Sequence, residues 1–415
     1  MPPAEAHRHA VRRLVVALTD ACNLDCAYCF QVRKGSRRLP WEALRAGLDL
    51  LLASGPGQGH VSFTGGEPLL DFPAIVRAVD YVEAHRPADL RVEFDVATNG
   101  TRLGDEQVAF LVDHDVALDL SFDGVPAAQA LRGPATFPTL DHLVERLRRE
   151  RPDWFARRVR VAITLCRTNL PSLADSVDYF LERGVAAIDL SPALTGDDGW
   201  TPADTRQLDR QFARIHRSAV RHFRRAGRVP FLLFRKPALG ARPPRTPTGS
   251  MCRVGRSGSI ALDPSGRAYP CLLFADIYRR PGTPLLETVS EWLALGGVTD
   301  ATLARRLATL PRVVSRIPLL HGKSRKSSRA SRCATCAYLD RCLVCPVAGA
   351  LMPGNRDPDR IPDFQCAFAQ VSLKYQDRFL GQPLVKSLID QVERAAAGGR
   401  HGRVPPRARP PAMRP

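Results

Sequence analysis

The sequence predicts a mixed α/β fold: a partial, TIM-like (β/α)6 barrel followed by a small cysteine-rich domain of β-hairpin and loops. Three features lead there. Short apolar runs alternate with amphipathic stretches from Arg12 to Arg225, residues suited to chemistry fall directly after several of those runs, and seven of the eleven cysteines lie beyond a proline-rich break at 229–250. At 415 residues the chain is long enough to bury more than one core.

The rounds read in order. Arg13–Leu18 is a first strand, and Pro40-Trp41-Glu42 opens a helix with Pro in its first turn and Leu44, Leu48, Leu51 and Leu52 on one face. Val61–Phe63 is the second strand, and Ile75, Val76, Val79 and Val82 mark the next helix. Leu90–Ala97, Val116–Phe122, Val159–Leu165 and Ala187–Ser191 read as further strands, with helices at Glu106–Asp113, Leu140–Arg149 and Leu173–Glu182 between them. A sixth helix over Thr201–Arg225 begins on a Thr-x-x-Asp capping signal, Thr201 and Asp204. Strands separated by helices pair in parallel through right-handed crossovers. Six rounds are too few to close an eight-fold barrel, and the chemistry of such folds sits at the C-terminal rim of the strands. The division expected is a barrel over 1–228, a linker at 229–250, the cysteine-rich domain at 251–370, a C-terminal helix at 371–394 and a basic tail at 395–415.

The net charge of +18 is unevenly placed. Ala301–Arg332 holds nine Lys or Arg and no acid, and Ala395–Pro415 holds five Arg and no acid. The Pro/Arg-rich tail reads as a solvated segment, and 301–332 as a surface excursion or a basic face for an acidic peptide. Few aromatics interleave with these runs, which argues against single-stranded nucleic acid as a partner. A secretory signal and a span of about 20 apolar residues are both missing from the sequence, which gives the expectation of a cytoplasmic, non-membrane protein. In that compartment cysteines serve as metal ligands more often than as disulfides.

The chemistry is concentrated in TDACNLDCAYCFQ, where Cys22, Cys26 and Cys29 are spaced C-x3-C-x2-C just after the first strand. Three thiolates hold three irons of a [4Fe–4S] cube and leave one iron open, whereas a structural zinc site asks for four ligands. The spacing, the aromatic Tyr28 and a Gly65-Gly66-Glu67-Pro68 turn after the second strand resemble the radical S-adenosylmethionine superfamily. The resemblance implies a (β/α)6 core and a cluster whose open iron binds S-adenosylmethionine. It implies reductive cleavage of that cofactor to a 5′-deoxyadenosyl radical. By the same resemblance Gly65, Gly66, Glu67 and Pro68 approach the methionine moiety, with Glu67 pairing its ammonium group, and Tyr28 meets the adenine. Asn99, Ser121 and Asp123, at strand ends, are expected to bond ribose hydroxyls or the carboxylate.

Beyond the linker stand Cys252, Gly266-x4-Cys271, Cys333-x2-Cys336-x5-Cys342-x2-Cys345 and Cys366. The four-cysteine run alone would close a zinc site. With its flanking cysteines it resembles the SPASM extension, which carries two auxiliary [4Fe–4S] clusters in peptide-modifying radical enzymes, although that family's run usually ends C-x3-C. Carried over by order, Cys252, Cys271 and Cys345 hold one auxiliary cluster, one ligand short, and Cys333, Cys336, Cys342 and Cys366 hold the other. Cys166, in the apolar run VAITLC, reads as a buried structural thiol.

The resemblance implies a ribosomally made peptide or protein as substrate, a crosslink or thioether as product, and an electron donor such as flavodoxin or ferredoxin. With about a dozen residues before the first strand, a leader-binding module is not expected at this end, so delivery falls to a separate recognition protein or to other surfaces. Formylglycine-type sulfatase maturation is the alternative; its acid after the cysteine matching Cys271 is replaced by Leu272, with Asp276 a few residues on. Radical modification of a small molecule or RNA is another alternative. A zinc-bound nucleic-acid-binding protein is the non-enzymatic one.

Overall fold

In the computed structural model, which describes residues 11–194, 199–235, 252, 254, 258–342 and 344–389, strand β1 (Arg13–Thr19) buries Leu14, Val16 and Leu18 completely. Leu14 packs at Gly47 of helix α1 (Trp41–Leu52), which offers no side chain in the way. The same logic repeats through β2 (Gly57–Gly65), α2 (Phe72–His85), β3 (Leu90–Thr98), α3 (Asp105–Asp113) and β4 (Ala117–Ser121). It continues through a short α4 (Pro126–Gln129), α5 (Thr136–Glu150), α6 (Pro152–Arg158), β5 (Val159–Leu165), α7 (Leu173–Arg183), β6 (Ala187–Pro192) and α8 (Pro202–Ala226). Thr201 and Asp204 cap α8 reciprocally, as their spacing predicts. Each of β1 to β6 lies parallel to its neighbour in chain order, the arrangement of a partial barrel.

The second half departs from the expected division in four ways. Strand β7 (Ser259–Leu262) pairs in parallel with β1, and β8 (Arg267–Tyr269) and β9 (Gly296–Gly297) extend it antiparallel, so a single nine-stranded sheet runs through both halves. The hairpin is where the sequence puts it, but it completes the open edge of β1 instead of standing apart. Residues 229–235 are no linker: Phe231 and Phe234 are fully buried, and Ile188 N–H donates to Pro230 O at 2.9 Å beside β6. The remainder, 236–250, lies outside the described residues, as does the tail 395–415.

The C-terminal helix, α12 (Asp363–Leu380), starts eight residues earlier than expected and carries Cys366. It lies along α8, with the Phe212 ring 6.0 Å from Phe368 and 6.1 Å from Tyr375. The basic 301–332 stretch contains α10 (Leu303–Ser315), whose Leu303, Leu310 and Val314 are buried, followed by buried Ile317, Leu319 and Leu320. It is an amphipathic part of the core, not a surface excursion. Between and after these lie α9 (Pro284–Leu293) and α11 (Pro346–Ala350). Among the described residues no helix is long and apolar enough to cross a membrane.

Candidate active site

The cysteine loop leaves the C-terminal end of β1 and is held from both sides. Thr19 Oγ1 donates to Arg37 O at 2.7 Å and accepts from Ala21 N–H, while the buried Asp20 carboxylate accepts from Arg37 N–H at 2.7 Å and its guanidinium at 2.8 Å. Gln31 donates to Asp20 O, and Ala27 N–H to Leu131 O beyond β4. These contacts fold the segment so that Cys22, Cys26 and Cys29 converge. Burial pushes the Cys26 thiol up to about 11, with Arg132 opposing and Cys29 and Cys22 adding to the rise; burial also raises Cys22, and Cys29 adds again.

The turn after β2 seats on this loop. Gly66 N–H donates to Thr19 O and Glu67 N–H to Ala21 O, both at 2.8 Å. A Cβ on Gly66 would stand 2.1 Å from Ala21 O, and one on Gly65, at φ +133°, would stand 2.5 Å from Thr19 O. The glycine pair is therefore required by contact between two protein loops, independently of any ligand. Pro68 starts a one-turn helix capped by Glu67. The Glu67 carboxylate is almost fully buried and accepts from Leu69 N–H at 3.0 Å, Thr98 Oγ1 at 2.6 Å and Asn99 N–H at 2.8 Å. These three hydrogen bonds tie the β2 turn to the end of β3 and fix the carboxylate in place. Burial raises its pKa against those three hydrogen bonds.

Asn99 and Asp123 are likewise engaged inside the protein. Asn99 Oδ1 accepts from Thr101 N–H and Oγ1, and its amide donates to Asn23 Oδ1 at 2.9 Å in the cysteine loop. The Asp123 carboxylate is fully buried; it accepts from Tyr28 Oη, from Arg132 Nη2 at 2.9 Å and from Thr164 N–H at 2.9 Å. Tyr28 is buried with it, and the Arg132 guanidinium lies 5.4 Å from the Tyr28 ring. Together these contacts form a buried clamp that locks the cysteine loop to β4 and β5. Ser121 differs: it is half-buried at the end of β4 and its hydroxyl has no hydrogen-bond partner among the described residues. Arg132 and Asn23 were not singled out from the sequence. The available signal for Arg132 was one cation in the otherwise uncharged stretch PAAQALRG after β4.

Deeper in the barrel, the strand faces turned from the helices are polar. Ser62 Oγ donates to Asp95 at 2.9 Å, His60 also bonds Asp95, and Arg160 donates to Asp119 at 2.7 Å. Burial pushes the Asp119 carboxyl up to about 6, with Arg160 opposing the shift.

The later cysteines fall into two groups by packing as well as by mutual influence. Cys252, Cys271 and Cys345 pack against the main core. Burial pushes Cys345 up to about 12, and Cys271 and Cys252 add to the rise. Cys333, Cys342 and Cys366 surround a separate small core of Val344 and Ile361. Burial pushes Cys333 up to about 11, with Cys366, Cys342 and Cys336 adding. Asp276 pairs with Arg279 at 3.1 Å. Cys166 is half-buried just past the end of β5, on the rim, and not inside the strand as expected.

The donors fit iron–sulfur clusters. All eleven cysteines are free, the three groups contain three, three and four thiols, and raised thiols become thiolates only when a metal takes the proton's place. The first group leaves one iron without a protein thiolate, next to a glycine turn that brings backbone close to the loop. Fold and site together resemble those of radical S-adenosylmethionine proteins, with a cysteine-rich extension after the barrel.

Comparison with known proteins agrees. Residues 16–180 match the Radical SAM superfamily. The chain is 32% identical over 214 residues to GTP 3′,8-cyclase of Synechococcus elongatus, covering 47% of this chain and 60% of the cyclase. It is 27% identical over 119 residues to the cysteine-type anaerobic sulfatase-maturating enzyme of Clostridium perfringens, covering 27% of this chain and 32% of that enzyme. An uncharacterised Methanocaldococcus jannaschii protein matches over 61% of its length at 27% identity. The chain thus spans about three-fifths or less of these relatives. Its fold is shared with anSMEcpe with bound AdoMet, at a TM-score of 0.68 and 17% identity over 94% of this chain and 99% of that one. Streptococcus suis SuiB bound to S-adenosylmethionine superposes with a TM-score of 0.54 and 16% identity over 88% of this chain and 80% of that one.

Proposed function

We propose that this radical SAM enzyme acts on a peptide or protein and joins two of its atoms by a crosslink or thioether. The observation that carries the reading is the pair of cysteine groups outside the barrel, in a fold shared over nearly its whole length with an enzyme solved with a Cp18Cys peptide. When bound, the cluster and S-adenosylmethionine of this superfamily supply a carbon radical that abstracts hydrogen. The chain's own part is positioning. The Tyr28–Asp123–Arg132 clamp and the glycine turn hold Cys22, Cys26 and Cys29 over the rim, and Ser121 offers a free hydroxyl there. Closing a bond between two substrate atoms removes two hydrogens; one leaves as an atom, and the second leaves as a proton and an electron that needs an acceptor. The groups at Cys252, Cys271, Cys345 and at Cys333, Cys336, Cys342, Cys366 are suited to take that electron as auxiliary clusters. A carrier such as flavodoxin or ferredoxin supplies electrons to the site.

Leu272, in the place of the acid expected after Cys271, weighs against formylglycine formation. The cyclase similarity favours a second reading, a small-molecule substrate, but it accounts for less than half of the chain and leaves the seven later cysteines without a task. The test is co-expression with the short peptides encoded beside this chain, followed by mass spectrometry. Loss of two hydrogens, dependent on Cys22, Cys26 and Cys29, supports the reading. Unmodified peptides together with deoxyadenosine release driven by a nucleotide would overturn it.

A further inference from the structure

The basic 301–332 segment ends beside the four-cysteine group, and its lysines turn inward there. Lys326 is 2% exposed; its ammonium donates to Pro358 O at 2.8 Å and reaches Asp359 Oδ1 at 3.3 Å. The backbone fixes it next to the cysteines. Cys333 N–H donates to Lys326 O at 3.0 Å, Ser327 bridges to both Arg332 and Arg360, and Ile361 N–H donates to Ser327 O at 2.8 Å. Lys323, also buried, lies within electrostatic reach of Cys342, as Lys326 does of Cys333. On the far side, Gln370 Nε2 donates to Cys366 Sγ at 3.2 Å.

A cluster with four thiolates gains one negative charge when it takes an electron, with no proton and no bond made or broken. Positive charge and hydrogen bonds at its sulfurs favour that reduced form. Burial strengthens the effect, because little water screens the charges. We infer that Lys326, with Lys323 and Gln370, raises the reduction potential of the cluster held by Cys333, Cys336, Cys342 and Cys366. The inference rests on the cluster reading of these cysteines. Two of the other cations in this stretch have acidic partners: Arg325 shares Asp359 with Lys326, at 3.3 Å, and Arg329 pairs with Asp363 at 2.6 Å. The inward lysines, and not a basic docking face, are what the segment contributes here.

The test is an EPR-monitored potentiometric titration with dithionite, on reconstituted protein carrying Cys22, Cys26 and Cys29→Ala so that only auxiliary signals remain. Iron and zinc content come first. Zinc without an EPR signal at this group overturns both the cluster reading and the inference. With the cluster present, Lys326→Met moves one of the two midpoints to more negative potential, Lys326→Arg restores it, and the exposed Arg316→Met leaves both in place. Asp359→Asn removes the counter-charge and moves the same midpoint upward, which decides the matter if Lys326→Met does not load its cluster. Midpoints that stay put in both variants, or that move in the same direction, overturn the inference while leaving the cluster reading intact.

Discussion

Replacing Asp123 by Ala separates a structural carboxylate from a cofactor contact. The wild-type carboxylate is fully buried and accepts from Tyr28 Oη, Arg132 and Thr164 N–H. Without it the Arg132 guanidinium, with its side chain only 8% exposed, keeps just Ala162 O at 3.1 Å and Thr164 Oγ1 at 3.2 Å. Removing one partner of a buried ion pair costs about 3–5 kcal/mol, because the other charge is stranded. For a chain of this size that corresponds to a fall in melting temperature of roughly 3–6 °C. Because Tyr28 stands between Cys26 and Cys29, the first iron–sulfur group should lose occupancy in parallel. The double variant Asp123→Leu/Arg132→Met strands no charge and should recover most of the stability, since paired replacement is often neutral or stabilising. Calorimetry and iron content on all three proteins test this. An Asp123→Ala protein as stable as wild type, with iron retained but weaker S-adenosylmethionine binding, would refute the clamp and return Asp123 to a ligand contact.

Further outcomes follow from the same geometry. Gly66→Ala places a Cβ 2.1 Å from Ala21 O, so the turn and the cysteine loop must part; iron bound at Cys22, Cys26 and Cys29 should be lost selectively, as read by EPR. Glu67→Gln turns an amide N–H toward one of three donors and should destabilise by about 1–3 kcal/mol, measured by denaturant titration. Asp119 has a folded pKa of about 6, raised above the ordinary carboxylate range. Its ionisation therefore disfavours folding, and stability falls as pH rises from about 4 to 6. Asp119→Asn should stabilise the protein at pH 8 by about 1–3 kcal/mol and change nothing below the unfolded carboxylate pKa; a destabilised variant at pH 8 would show that the Arg160 pair outweighs burial.

The six strands were legible because parallel strands covered by helices read as apolar runs of the right length, as in LVVAL and VAITL. The pairing of β7 with β1 was not, since it joins Leu14 to Ile260 across the whole barrel and has no local signal. Helix α10 was hidden by its own arginines and by Pro311, although Leu303, Leu310 and Val314 carry a helical period. At the site, cysteines and glycines were found because their chemistry and backbone geometry are distinctive. For Asn99 and Asp123 the strand-end position was legible and the protein partners were not. A strand-end position says where a side chain starts; the partner that satisfies it, Asn23 or Arg132, comes from another loop.

The central claim is that three separate cysteine groups each hold an iron–sulfur cluster. The most direct test is iron, sulfide and zinc content of anaerobically reconstituted protein, comparing wild type with variants in which one group at a time is changed to Ala. The account predicts about twelve irons per chain, falling by about four in each variant. Zinc near one or two equivalents with little iron, or loss of all iron on removal of any single group, would contradict it.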